Sequence, residues 1–107
     1  MHITIGIATR GRAAILAGVL RDLARQSRPA DRILVCHVSA DDVAGCEAIA
    51  GVEFMTAPAG LPHQRNRILD AAAGSDVVLF LDDDFLCNSA FIAVLESSFQ
   101  NHPDMVV

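Results

Sequence analysis

Short strand-like runs alternate with segments of helical periodicity along this chain, and that alternation constrains the fold more than any other feature. The runs are Ile3 to Ala8, Ile33 to Cys36, Val52 to Thr56 and Val77 to Leu81. Ile33-Leu34-Val35-Cys36 is apolar without a break, the pattern of a parallel strand covered on both faces. Between the runs, Leu16, Val19, Leu20, Leu23 and Ala24 recur at helical spacing, predicting a helix from Ala13 to Gln26 that stops at Ser27-Arg28-Pro29. Asp41 and Asp42 open a weaker helical segment through Val43, Cys46 and Ile49, which Gly51 can end in a left-handed conformation. Pro58 and Gly60 mark a loop, Pro62 suits a first helical turn, and Ile68, Leu69, Ala72 and Ala73 form a stripe ending at Gly74. Asn88 or Ser89 can cap a last helix carrying Ile92, Leu95 and Phe99, which stops before Pro103. Met105-Val106-Val107 reads as the start of a further strand.

Strands joined by helices imply one α/β domain with a parallel sheet and right-handed crossovers. In the simplest doubly wound layout the first three strands order as 3-2-1, and the fourth returns on the far side of the first, giving 3-2-1-4. Ligands of such sheets bind beyond the carboxyl ends of the strands, where the order reverses. That point lies between the first and fourth strands, so Thr9-Arg10-Gly11-Arg12 and Asp82-Asp83-Asp84 are expected at one crevice.

Composition narrows the partners. With 107 residues, 52% of them hydrophobic and 20% charged, the chain has the make-up of a soluble globular domain rather than a disordered one. The formal net charge is -5 and no run of Lys or Arg occurs, which argues against nucleic acid as the principal partner. A small anionic ligand remains compatible if local cations compensate. Cys36, Cys46 and Cys87 form no Cys-x-x-Cys pair and read as reduced, mostly buried thiols. The opening Met-His-Ile-Thr-Ile-Gly-Ile-Ala lacks the basic n-region of a signal peptide, and no apolar run approaches the ~20 residues of a membrane span. The expected setting is cytoplasmic, with any membrane association supplied by segments outside this chain.

Three adjacent carboxylates at a strand end repel one another, at a cost of about 1 kcal/mol per pair ~4 Å apart in water and more near a protein surface. A cation relieves this. Mg²⁺ and similar hard ions take one or two carboxylates together with phosphate oxygens, so an acidic turn at a switch point suits a metal–diphosphate site. On these residues alone, an acidic loop that makes turns and caps the next helix stays open as the plainer alternative.

The run Val-Val-Leu-Phe-Leu-Asp-Asp-Asp resembles the strand and Asp-x-Asp motif of the family-2 glycosyltransferases. Ile3 to Arg12 resembles their first strand and polar loop, and Gln26-Ser27-Arg28-Pro29 their Gln-Thr-x-Pro. Gly60 through Arg65-Asn66 is similar to their Gly-x-x-x-Ala-Arg-Asn. The resemblance implies the Rossmann-like GT-A fold, a three-layer sandwich with a mostly parallel sheet. It also implies that residues 1–107 form one nucleotide-sugar-binding domain, the amino-terminal part of a longer inverting glycosyltransferase.

Carried over residue by residue, the resemblance makes Asp84 the first ligand of Mn²⁺ or Mg²⁺ with Asp82 as the second, while Asp82 and Asp83 hold the ribose or waters around the metal. Thr9, Arg10 and Arg12 correspond to the segment that passes the nucleotide base, with both arginines able to face phosphate. As exposed arginines are ordinary, a solvated loop remains the alternative for that pair. Arg65 resembles the family arginine beside the nucleotide, and Asn66 could equally hydrogen-bond local backbone. One departure concerns the base: where the family usually carries Asp after its second strand, this chain reads Cys36-His37-Val38-Ser39. His37 is the candidate there, either stacking on a base or facing solvent, and the nucleotide's identity stays open. His2, His63 and His102 have no ligand spacing.

The implied reaction is transfer of a sugar from a nucleotide diphosphate sugar to an acceptor hydroxyl, with the metal neutralising charge on the leaving diphosphate. It needs a general base within hydrogen-bonding reach of the hydroxyl. The family takes that base from a later segment, and Glu96 and Asp104 are poor substitutes, so a donor-binding piece without its base or acceptor site is expected. An uncovered sheet edge would favour self-association. Two rival readings stand beside this one: a non-catalytic nucleotide-sugar-binding module, and another α/β class such as a sugar nucleotidyltransferase or a phosphotransferase. Against the second rival, Thr9-Arg10-Gly11-Arg12 holds a single glycine rather than a glycine-rich loop, and the aspartates follow the fourth strand rather than the first.

Overall fold

The computed structural model describes residues 1–101, and Met105-Val106-Val107, read above as a further strand, lies outside them together with His102 and Asp104. Among the described residues four strands and three α-helices follow in the order β1 (Ile3–Ala8), α1 (Ala13–Ala24), β2 (Arg32–His37), β3 (Val52–Thr56), α2 (Leu61–Ala71), β4 (Val77–Leu81) and α3 (Phe91–Asn101). All strand pairs are parallel and the order is β3-β2-β1-β4, the order expected from the alternation.

The side chains of each strand divide between two helical layers. On one face Ile3, Ile5, Ile7, Ile33 and Val35 pack with Leu16, Val19, Leu20 and Leu23 of α1 and with Ile92 of α3. On the other, Leu34, Cys36, Val78 and Phe80 meet Ile68 and Ala72 of α2 and its end. Each fully buried Ile or Leu contributes about 1.5–3 kcal/mol relative to exposure. Ile3, Ile5 and Ile7 are all 0% exposed, so β1 is the centre of the sheet energetically as well as topologically. Among the described residues β4 is the last strand on its side of the sheet, and its five residues are only partly buried.

Gly6 sets the spacing of the second layer. A Cβ built there would stand 2.7 Å from Ile68 Cγ2 and 3.3 Å from the Phe80 ring, so α2 approaches β1 as closely as it does because position 6 has no side chain.

The weak helix expected after Asp41 and Asp42 is not an α-helix. The chain makes a single 3₁₀ turn, Ala40–Val43, followed by further turns up to β3. Ser39 and Asp42 form a capping box at the start of that turn, and propagation stops where Ala44 takes ψ 123° and Gly45 φ 83°, both outside helical space. Gly51 does adopt the left-handed conformation expected of it, at φ 80°.

At the amino ends of the strands, Arg28 binds three segments at once. Its guanidinium donates to Glu96 on α3 at 2.7 Å, to the Met1 carbonyl at 2.6 Å and to Asp31 at 3.1 Å. Asp31 in turn accepts the Ile3 N–H at 2.7 Å. That N–H, then Arg28, hold the Asp31 carboxyl below its ordinary range, and Arg28 does the same for Glu96.

Candidate functional site

At the opposite, carboxyl end of the sheet, β1 and β4 are neighbours whose continuations must diverge, because β1 leads to α1 and β4 to α3. A cleft of about 400 Å³ opens between the two exits, lined by Ala8, Arg12, Asp82, Asp83 and Asp84. Asp82 O accepts the Phe85 N–H at 3.1 Å, so the aspartates occupy a turn rather than extending the strand.

That turn makes the three carboxylates unequal. Asp83 faces inward, 12% exposed in its side chain, with Oδ2 accepting the Thr9 hydroxyl at 2.9 Å and Oδ1 accepting Arg12 Nη1 at 3.2 Å. Asp84 is 59% exposed and stands 3.6 Å from the same Arg12 nitrogen, an ion pair beyond hydrogen-bond length. Asp82 is exposed. One guanidinium therefore faces three carboxylates, and the cleft keeps a net negative charge.

Arg12 immediately precedes α1 as its N-cap residue, with no side-chain capping bond and no acidic residue in the first turn. The N–H groups of that turn are left for water or a ligand, and they carry the positive end of the helix dipole. Arg12, at the start of α1, thus stands at one wall of the cleft, and the carboxylates at the other.

Two buried side chains, Gln64 and Asp42, hold the surrounding loops. Gln64 of α2, 5% exposed, donates through Nε2 to the carbonyls of Thr9 at 3.1 Å and Cys36 at 3.0 Å, tying the exits of β1 and β2 together. Asp42, 4% exposed, accepts the N–H groups of Gly11, Val38 and Ser39, each at 2.8 Å. The Ser39, Val38 and Gly11 amides, in falling order of effect, and nearby His37 hold its carboxyl below its ordinary range against the opposing effect of burial. The Ser39-x-x-Asp42 spacing was a legible signal for the capping box, but nothing in the sequence pointed to Gly11.

The segment after the aspartates is held by the Gln26-Ser27-Arg28-Pro29 run. Gln26 Nε2 donates to the Asn88 carbonyl at 2.6 Å, its Oε1 accepts the Ile92 N–H at 3.0 Å, and the Ser27 N–H reaches the Ser89 carbonyl at 2.8 Å. This run fixes where the chain goes on leaving the acidic turn.

Of the residues singled out from the sequence, Thr9, Arg12, Asp82, Asp83 and Asp84 come together. Arg10 is exposed and makes no hydrogen bond or ion pair among the described residues. His37 is not solvent-facing: it is 8% exposed, its Nδ1 donates to the Ser39 carbonyl at 2.7 Å, and its ring meets Phe54 edge-on at 6.4 Å. Arg65 lies on the α2 side of the sheet with its guanidinium 5.6 Å above the Phe80 ring, outside the residues lining the cleft. Among the described residues no three His, Cys, Asp or Glu side chains are grouped to hold a metal ion by themselves. Asp82 and Asp84 remain as two exposed hard-oxygen donors, a set that fits Mg²⁺ or Mn²⁺ when phosphate and water complete the shell. The three cysteines are unpaired, and burial raises the thiol pKa of each. No helix among the described residues is long and apolar enough to cross a membrane.

The family model for glycosyl transferase family 2 matches residues 4–107. No curated protein sequence matches the chain. Among solved structures, S. aureus TarS superimposes with a TM-score of 0.76 at 17% identity, over 96% of this chain and 20% of that one. The structure of S. aureus TarS 1-349 in complex with UDP superimposes with a TM-score of 0.76 at 17% identity, over 96% of this chain and 33% of that one. At this identity the likeness shows the fold, and the chain spans about a third or less of the length of these structures.

Proposed function

The chain belongs to glycosyl transferase family 2, and on that premise we propose that its cleft binds the nucleoside diphosphate of a sugar donor together with Mn²⁺ or Mg²⁺. The observation that carries this reading is the meeting of the Thr9–Arg12 loop with Asp82, Asp83 and Asp84 across one polar cleft. Asp84 and Asp82 would hold the metal, which supplies charge neutralisation on the departing diphosphate. Arg12 and the uncapped first turn of α1 would receive phosphate oxygens, since amide donors and a guanidinium suit them. Arg10 is the candidate to face the base and ribose side, where His37, held inward on the Ser39 carbonyl, would at most present a ring edge, and Arg65 would have to leave the Phe80 ring to reach the cleft. In the TarS 1-349 structure the bound molecule is UDP, which makes a uridine nucleotide the first to test.

Inverting transfer would follow where a general base and an acceptor site complete the cleft. Glu96 cannot serve as that base, because Arg28 holds it at the amino ends of the strands, across the sheet from the cleft. Among the described residues the carboxylates lining the cleft are Asp82, Asp83 and Asp84, and donor binding is the activity they support. Calorimetric titration with UDP, GDP and dTDP, each with and without Mn²⁺, tests the proposal. Metal-dependent binding of at least one is expected, and absence of heat with all three would overturn it.

A further inference from the structure

We infer that Arg12 is the resident counter-cation of the acidic turn, and that it couples metal binding to nucleotide binding by leaving Asp84 for the diphosphate when a divalent cation arrives. The inference rests on the function proposed above and deepens it. It starts from one nitrogen shared between two carboxylates, with Arg12 Nη1 3.2 Å from Asp83 Oδ1 and 3.6 Å from Asp84 Oδ2.

The two contacts are not equivalent. Asp83 is mostly covered and has its other oxygen on the Thr9 hydroxyl, so its hydrogen bonding is met within the fold. Asp84 is 59% exposed and its contact exceeds hydrogen-bond length, so charge alone holds it. Arg12 is itself 51% exposed, and its backbone is fixed independently by the bond from the Leu16 N–H to its carbonyl at 2.9 Å. The guanidinium is therefore free to turn while the start of α1 stays in place.

A divalent cation on Asp84 and the guanidinium in its present position would repel each other, so metal alone binds against Arg12. A diphosphate removes that opposition. Its oxygens would suit the planar fork of arginine, so the displaced side chain would gain a better anion than the one it gives up. Metal and nucleotide then each strengthen the other's binding, and by linkage the coupling is reciprocal. No other cation is paired with the acidic turn among the described residues, which assigns the coupling to Arg12.

Calorimetry of the whole chain with Mn²⁺ alone, and with UDP at saturating Mn²⁺, tests this using Arg12→Gln and Arg12→Lys. Arg12→Gln is expected to bind Mn²⁺ alone about two- to fivefold more tightly, the size of an exposed charge effect. It should bind UDP with Mn²⁺ about tenfold more weakly, through loss of a charge-assisted contact. Arg12→Lys keeps the charge and so the wild-type affinity for Mn²⁺, but it loses part of the UDP affinity because an ammonium cannot fork. Equal Mn²⁺ affinity in wild type and Arg12→Gln, or undiminished UDP affinity in the variant, overturns the coupling while leaving the proposed function standing if the wild type binds both ligands. A wild type that takes up neither Mn²⁺ nor UDP removes both.

Discussion

The Thr9 hydroxyl donates to Asp83 Oδ2 at 2.9 Å, joining residues 74 positions apart in sequence. Through this bond the loop leaving β1 and the turn leaving β4 become two walls of one cleft, and Asp83 becomes unlike the aspartates beside it. Thr9 is buried at 2% exposure, so its hydroxyl has few other partners. The middle carboxylate is tied into the fold, and the outer two are exposed.

That division predicts opposite results for neighbouring substitutions. Asp84→Ala should abolish metal-dependent nucleotide binding while changing stability by no more than about 0.5 kcal/mol, as for an exposed side chain without a strong partner. Asp83→Ala should destabilise by about 1–3 kcal/mol, because it strands a buried hydroxyl. Urea denaturation beside calorimetry separates the two, and a binding-competent Asp84→Ala would remove that residue from the metal site.

Gln26→Ala should destabilise by about 2–3 kcal/mol, since the Asn88 carbonyl and the buried Ile92 N–H both lose their partner. Hydrogen exchange at the Ile92 amide should accelerate in the variant more than at Ile5 in the sheet. Uniform acceleration would mean that Gln26 serves global stability rather than the exit from the acidic turn.

Gly6→Ala should cost about 1–3 kcal/mol by overpacking, because the new methyl would lie 2.7 Å from Ile68 Cγ2. In an Ile68→Ala background that atom is gone, so the same substitution should cost much less. A double-mutant cycle from denaturation curves reads the difference, and strict additivity would contradict the close contact.

Asp42 links the fold to pH. Its carboxyl lies below the ordinary range chiefly through the Ser39, Val38 and Gly11 amides, so the charged form is favoured on folding. Its stabilising contribution, about 2 kcal/mol for hydrogen bonds to a charged acceptor, is complete above the unfolded value near pH 4. It is lost as pH falls through the depressed folded value. Comparing wild type with Asp42→Asn across that window cancels Asp31, Glu53 and Glu96, whose pKa values are also lowered. The stability gap should be widest above pH ~4 and narrow below it; a gap constant down to the most acidic conditions would exclude ionisation as its source.

The sheet order and the neighbourhood of the two polar loops were legible in the residues themselves. Apolar runs such as Ile33 to Cys36 demand cover on both faces, parallel strands demand crossovers, and handedness then leaves few orders for four strands. The acidic triplet announced itself because like charges at a strand end need a cation. The segment after Asp42 misled because its apolar spacing is helical, whereas propagation ends where Ala44 and Gly45 leave helical space.

Sequence alone thus determined the layering, the order of the strands and the meeting of the two polar loops, since these follow from periodicity and connectivity. Tertiary structure decided which carboxylate is held by Thr9, which stays open, that Gln64 spans the exits of β1 and β2, and that His37 turns inward. Those depend on distances of a few ångströms between residues far apart in the chain. Spacing along a sequence carries no information at that scale until packing has brought the partners together.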